Sequence, residues 1–227
     1  MELIRKKSRD KLTPYAPTWD FSIGKTLINL DFKKLAKTAL EKESEIKKLP
    51  VQYYDLNDGY GKRLFDGYTG LGKNSTTSRS SIYNVFEWNT AETNALLDGV
   101  RYNVKRYNDL NGNPTPKDLY ARCWVNILRF GQKIDQHLHN VEPTSYLTAH
   151  YTVQCEDTYT CYVNPVNQLN DPEIIKEKNR PGIFTIFPSY LPHYTTKHLS
   201  FKPRITIAMS IVTENWEIDS GFPLWQN

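Results

Sequence analysis

No run of about twenty apolar residues occurs in this chain of 227 residues, and its charged N-terminal end leads into no apolar stretch. Neither a membrane span nor a secretory signal is therefore expected. Cysteines number only three, Cys123, Cys155 and Cys161, with no Cys-x-x-Cys spacing and each in apolar, strand-like sequence. Buried thiols in such settings act as small hydrophobes, and the expected compartment is a reducing cytoplasm. Charge of one sign is also scarce. The formal net charge is +4, partly carried by Arg5, Lys6, Lys7, Arg9 and Lys11, which reads as a solvated tail and argues against a nucleic-acid partner. Disorder is excluded by what is present: 39% hydrophobic and 13% aromatic residues suffice to bury one core.

Along the chain, residues 1–30 are mixed and punctuated by Pro14 and Pro17, as an arm or an early strand. From Asp31 apolar residues recur at helical spacing (Leu35, Ala36, Ala39, Leu40, Ile46, Leu49) until Pro50, which predicts an amphipathic helix packed on a sheet. Residues 56–81 hold Gly59, Gly61, Gly67, Gly70 and Gly72 and then a Ser/Thr-rich segment, which reads as a long loop, a flexible lid or a substrate loop. The stretch from Gly67 to Asn74 approaches a phosphate-binding loop. It fails where Asn74 stands in place of Ser or Thr, and no apolar strand precedes it. Asn89 and Glu92 suggest a capping box for a second helix reaching about Leu110. Short strand-like segments follow: 120–130, 146–154, 158–163, 182–187 and 204–212. Helices first and strands afterwards predict an α+β protein with a jelly-roll (cupin-like) core and N-terminal helices packed on one sheet. On this division, residues 1–118 form an N-terminal extension belonging to the same domain, and 119–227 form the metal-binding core.

Histidine is sparse too, with five in all, yet three lie in two short pieces: Gln136-His137-Leu138-His139 and Pro192-His193-Tyr194. Residues two apart on an extended strand share a face, so His137 and His139 can both turn toward one ion. A jelly roll can bring His193 beside them. Arg204 opens the last strand eleven residues later and offers a planar fork suited to a carboxylate. His150 and His198 are left out of the metal set. His198, close to Lys197 and Lys202, is expected at the surface. His150 and Tyr151 point to opposite faces, so one of the two faces the pocket.

Several residues carry a resemblance: Trp124-Val-Asn126, Gly131, His137-Leu-His139, the stretch from Ser145 to Tyr151, Phe187-Pro-Ser189 leading to His193, and Arg204-Ile-Thr206. The region from Tyr120 to Thr213 resembles the double-stranded β-helix core of the iron(II)/2-oxoglutarate-dependent oxygenases, in particular the prolyl-hydroxylase-like branch and oxygenases of marine bacteria and their phages. The resemblance implies a dioxygenase with iron(II) held by His137, His139 and His193. It also implies 2-oxoglutarate as cosubstrate, clamped by Arg204 with Thr206, and dioxygen as co-reactant. Oxidative decarboxylation to succinate would accompany hydroxylation of an unidentified small-molecule or protein substrate. Asn126, Tyr146 and Tyr151 are pocket candidates, and the phage branch would place the protein in the cytoplasm of an infected bacterial host. Most members of that superfamily present His-x-Asp or His-x-Glu, whereas His139 stands at the carboxylate position here. Either the site is a three-histidine variant, or Asp135 or Glu142 replaces one histidine. Alternatives are a three-histidine cupin-type dioxygenase or a zinc enzyme without 2-oxoglutarate, both of which leave Arg204 unexplained. A noncatalytic jelly-roll binding or structural protein, such as a viral component, is a further alternative.

Overall fold

The structure, a computed structural model, describes residues 1–55, 62–64, 66–139, 143–166, 168–214 and 220–225. Gly59, Gly61 and Glu142 lie outside them. The first helix, α1 (Phe32–Lys48), starts where the Asp31 side chain accepts the Lys34 N–H at 3.0 Å, and it buries Leu35, Ala36, Ala39 and Ile46 on one stripe. The chain turns extended at Leu49, as the residue before a proline should. The second helix, α2 (Ala91–Leu110), is capped one residue later than expected. Thr90, with Thr93, makes the reciprocal capping box. Asn89 is used up closing the 3-10 turn Val85–Trp88 in a left-handed conformation, and Glu92 pairs instead with Lys34 at 2.8 Å, tying the two helices together.

Twelve strands complete the described fold: β1 (Glu2–Lys7), β2 (Asp20–Leu27), β3 (Tyr53–Asp55), β4 (Lys62–Leu64), β5 (Tyr120–Leu128), β6 (Ser145–Gln154), β7 (Tyr159–Val163), β8 (Ile174–Lys178), β9 (Ile183–Pro188), β10 (His193–Thr195), β11 (Arg204–Val212) and β12 (Phe222–Pro223). The main antiparallel sheet has the order β1-β2-β9-β6-β11-β5-β12, so the first thirty residues supply two of its strands. β1 is an edge strand, and Arg5, Lys6 and Lys7 give it the charge that discourages edge-to-edge pairing. A second sheet, β10-β7-β8, faces it, and among the described residues β3 pairs with β4 alone. Both helices cover the outer face of the main sheet: Tyr107 of α2 donates to the Ser22 carbonyl at 2.8 Å, and Leu35, Leu96, Val100 and Val104 join Ala149, Tyr151, Ile207 and Met209 in one apolar cluster. Between the sheets a smaller cluster of Phe21, Ile23, Tyr162, Ile175, Phe187 and Leu191 closes one end of the sandwich. The α+β class and jelly-roll core expected from the sequence are thus found.

The described part of the Gly-rich segment is built into the fold. The Asp66 carboxylate accepts the N–H groups of Tyr68 and Gly72 at 3.1 and 3.2 Å, and Gly67, Tyr68, Gly70 and Gly72 all have positive φ. Glycine suits position 70 because its φ of +71° is one that side-chain-bearing residues rarely adopt, and the Asp135 carboxylate lies against it. Downstream, Thr76, Thr77, Ser78, Arg79 and Ser80 are buried, with the Thr76 hydroxyl donating to the Val125 carbonyl at 2.5 Å and that of Thr77 to Asn126 Oδ1 at 2.6 Å. This Ser/Thr-rich stretch is a wedge against β5 where a loose loop was expected. Its hydroxyls saturate their own backbone and β5, so it can be buried at little polar cost.

Candidate metal centre

The segment from Ile134 to His139 runs antiparallel to 189–195 and extends the second sheet beyond β10. His137 and His193 exchange backbone hydrogen bonds at 3.0 and 2.9 Å, and Ile134 and His139 bond Thr195 and Ser189 on either side. Alternation then does what the spacing predicts: Leu138 points outward and His137 and His139 turn in together. One ligand atom from each of His137, His139 and His193 lies within 4.8 Å of the other two. Each ring is held by its other nitrogen. His137 Nδ1 donates to the Asp135 carbonyl at 2.9 Å, His193 Nδ1 donates to the Leu191 carbonyl at 3.0 Å, and His139 Nδ1 meets Ser210 Oγ at 2.7 Å. A carbonyl can only accept, so His137 and His193 keep Nε2 as a lone pair, the arrangement metal-binding histidines use. Trp124 of β5 stacks on His139, with ring centroids 5.6 Å apart.

Burial pushes all three histidines below the ordinary imidazole range, and His139 and His193 fall well below it, chiefly by burial and then by the neighbouring imidazoles. At neutral pH they are neutral and ready to ligate without first losing a proton. The donor set fits a transition metal: three nitrogens converge, every ring is braced from behind, and no other group of three His, Cys, Asp or Glu side chains comes together among the described residues.

The histidines line one side of a pocket of about 450 Å³, mouth included, between the two sheets. Arg204, Thr206 and Ala208 of β11 line the opposite side, with Trp124 and Asn126 of β5 and Thr148 and His150 of β6. Arg204 is 1% exposed, its Nε and Nη1 have no partner, and no carboxylate belongs to the described lining. Burial lowers its pKa to about 10, so the guanidinium stays charged at neutral pH. An unpaired buried cation is costly unless an anion occupies its pocket. Thr206 Oγ1 is likewise buried and unpartnered. Asn126 has its carbonyl taken by Thr77, so its NH2 group is what it can offer.

Of the residues expected at the site, His137, His139, His193, Arg204, Thr206 and Asn126 all line this one pocket. Tyr146 and Tyr151 do not. Tyr151 is buried among the helix-side apolar residues and donates to the Ile28 carbonyl at 3.3 Å, while Tyr146 donates to Asn108 of α2 at 2.7 Å. Parity explains Tyr151, since Thr148 and His150 face inward, whereas Tyr146 sits where the β6–β11 register shifts between Ser145 and Leu147. His150 is kept neutral, its pKa pushed down to about 3 by burial and then by Arg204 and Lys25. Asp135 is turned away, bonded to Lys133 at 2.7 Å and lying against Gly70. His198 is buried where exposure was expected, since Nε2 donates to the Lys202 carbonyl at 2.7 Å and its backbone bonds Gln132 and Gly131. Trp124 and Thr148 are among the lining residues to which the sequence assigned no role, and of His150 and Tyr151 it is His150 that faces the pocket; the alternation of β5 and β6 was the available signal. All three cysteines are free, Cys123 and Cys161 fully buried. No described helix is long and apolar enough to cross a membrane.

Comparison with known proteins agrees with this geometry. Residues 122–210 match the family described as "Putative 2OG-Fe(II) oxygenase". A search of the curated proteins found no match. Among solved structures, AviO1 from Streptomyces viridochromogenes Tue57 is similar, with a TM-score of 0.53 at 8% identity over 84% of this chain and 89% of that one. The non-heme alpha ketoglutarate dependent carbocyclase SnoK from nogalamycin biosynthesis gives 0.51 at 11% over 84% and 79%, and the epimerase SnoN from the same biosynthesis 0.50 at 12% over 84% and 77%. At these identities the likeness is one of fold. The matched residues 122–210 run from β5 to β11 and contain His137, His139, His193 and Arg204.

Proposed function

We propose that this protein is an iron(II)- and 2-oxoglutarate-dependent dioxygenase that hydroxylates an as yet unidentified small-molecule or protein substrate. The observation that carries the reading is the presence of three convergent, neutral histidines and a buried, unpartnered arginine in one pocket. His137, His139 and His193 would hold the metal, and Arg204 with the Thr206 hydroxyl would hold the far carboxylate of 2-oxoglutarate. Bound iron(II) and 2-oxoglutarate supply the chemistry, with dioxygen consumed, 2-oxoglutarate decarboxylated to succinate and a substrate C–H oxidised. The chain's own part is positioning and exclusion of water. Ser210 and the carbonyls of Asp135 and Leu191 fix the three rings, neutral His150 fills a wall without adding charge, and Trp124 closes the face of His139. A zinc or cupin-type site without 2-oxoglutarate would leave the Arg204 guanidinium buried and unanswered.

Titration calorimetry with manganese(II)-loaded protein provides the test. 2-Oxoglutarate should bind, Arg204→Ala should weaken it by about 100-fold with metal content intact, and His137→Ala, His139→Ala and His193→Ala should each lose metal. Absence of 2-oxoglutarate binding to the loaded, unsubstituted protein would refute the reading. Metal retained by His139→Ala would mean that a different side chain completes the ligand set.

A further inference from the structure

Five buried side-chain atoms of the pocket lining have no hydrogen-bond partner: Arg204 Nε and Nη1, Thr206 Oγ1, Trp124 Nε1 and Thr148 Oγ1. All five can donate, and no carboxylate faces them within the described lining. Arg204 and Thr206 belong to the 2-oxoglutarate clamp already proposed. The other two form a separate group. Pairing along the main sheet sets Trp124 opposite Ala208 and Thr148 opposite Ser210, on the two strands that flank β11. The inward residues of β11 therefore run from Arg204 and Thr206 at one end of the pocket to Ala208 and Ser210 at the other, where Ser210 braces His139. Four residues of strand, about 13 Å, separate Arg204 from the level of Trp124. Ala208, with the smallest of these side chains, leaves the floor open between the Trp124 and His150 rings.

We infer that Trp124 and Thr148 are a second donor pair, which binds the carboxylate at the metal end of a ligand whose other carboxylate is held by Arg204 and Thr206. This rests on the 2-oxoglutarate reading and adds to it two ligand-contacting residues. A buried indole N–H with no partner is costly, and water or ligand oxygen must answer it when the site is filled. Its position against His139 makes the metal-proximal end the place where that oxygen arrives.

The experiment compares Trp124→Phe, Thr148→Val and Thr148→Ser with the unsubstituted protein, each loaded with manganese(II) and titrated with 2-oxoglutarate by calorimetry, with metal content and melting temperature measured in parallel. Phenylalanine keeps a ring on His139 and deletes only the N–H. Trp124→Phe and Thr148→Val should each weaken 2-oxoglutarate by about 10- to 100-fold, the range for a hydrogen bond to a charged group, with manganese unchanged, and Thr148→Ser should restore binding. Unchanged affinity in both Trp124→Phe and Thr148→Val would overturn the inference. So would loss of manganese together with 2-oxoglutarate, because the two residues would then act only by supporting His139. If the unsubstituted protein binds no 2-oxoglutarate, the parent reading fails, and that result is distinct from a loss confined to the variants.

Discussion

The two faces of the main sheet are made by the same strands and treat polar atoms in opposite ways. Along β6, Leu147, Ala149, Tyr151 and Val153 face the helices, and where polar tips occur on that side they are answered: Tyr151 by the Ile28 carbonyl, Tyr107 by Ser22 and Tyr146 by Asn108. Thr148 and His150 of the same strand face the second sheet with Arg204, Thr206 and Trp124, and four of these five residues carry buried atoms that nothing answers. The helix side is finished without a ligand. The inner side presents donors that no described lining residue answers, so its stability is traded for binding. What separates the two is parity, a shift of one residue along a strand, except at Tyr146, where the β6–β11 register shifts.

Substitutions on the two faces should therefore have opposite effects. The largest change is expected from Ile207→Ala, which empties space between Val125 and Tyr151 on the helix side and should cost about 2–5 kcal/mol in chemical denaturation. On the inner side of the same strand, Arg204→Met should leave the protein without bound ligand as stable or more stable, by up to about 4 kcal/mol, while weakening 2-oxoglutarate binding by about 100-fold. A marked loss of stability in Arg204→Met would show that the guanidinium has a protein partner and erase the contrast.

Acid should affect the inner face first. His137, His139, His150 and His193 all have native pKa values below that of a free imidazole, so below about pH 6.5 the unfolded chain binds protons that the native one refuses. The sign follows: their contribution is full above pH 6.5 and falls as the pH drops toward their native values, by up to about 1.4 kcal/mol per pH unit for each histidine. Melting temperature should fall between pH 7 and 5, and His150→Phe should flatten the slope. The smallest expected effect is on the helix side. Tyr146→Phe removes one hydrogen bond to Asn108, should cost about 0.5–1.5 kcal/mol, and should leave metal and 2-oxoglutarate binding unchanged.

Much of this was legible in the chain. Histidine is scarce enough that His137, His139 and His193 stood out, and Arg204 followed at the start of a strand whose bounds, 204–212, the structure reproduces. Alternation in β6 showed that His150 and Tyr151 must part company, but alternation is symmetric and does not say which face looks at the metal. The first thirty residues were harder to read, because β1 is a charged edge and β2 takes its place only by pairing with β9, some 160 residues away. His198 misled because its lysine neighbours suggested solvent, whereas its backbone is drawn in by Gln132 and Gly131.

By itself, then, the sequence determined the helices, most of the core strands and the donor types available, since these follow from local periodicity and from which side chains carry nitrogen ligands or a cationic fork. Only the tertiary structure decided which donors meet. Register between β5, β6 and β11 put Trp124, Thr148 and His150 in the pocket and sent Tyr151 and Tyr146 to the helices, and the path from Ile134 to His139 turned Asp135 away while bringing three imidazoles together. Register is set by pairing across long sequence separations and by the need to bury one face, and no local pattern encodes that choice.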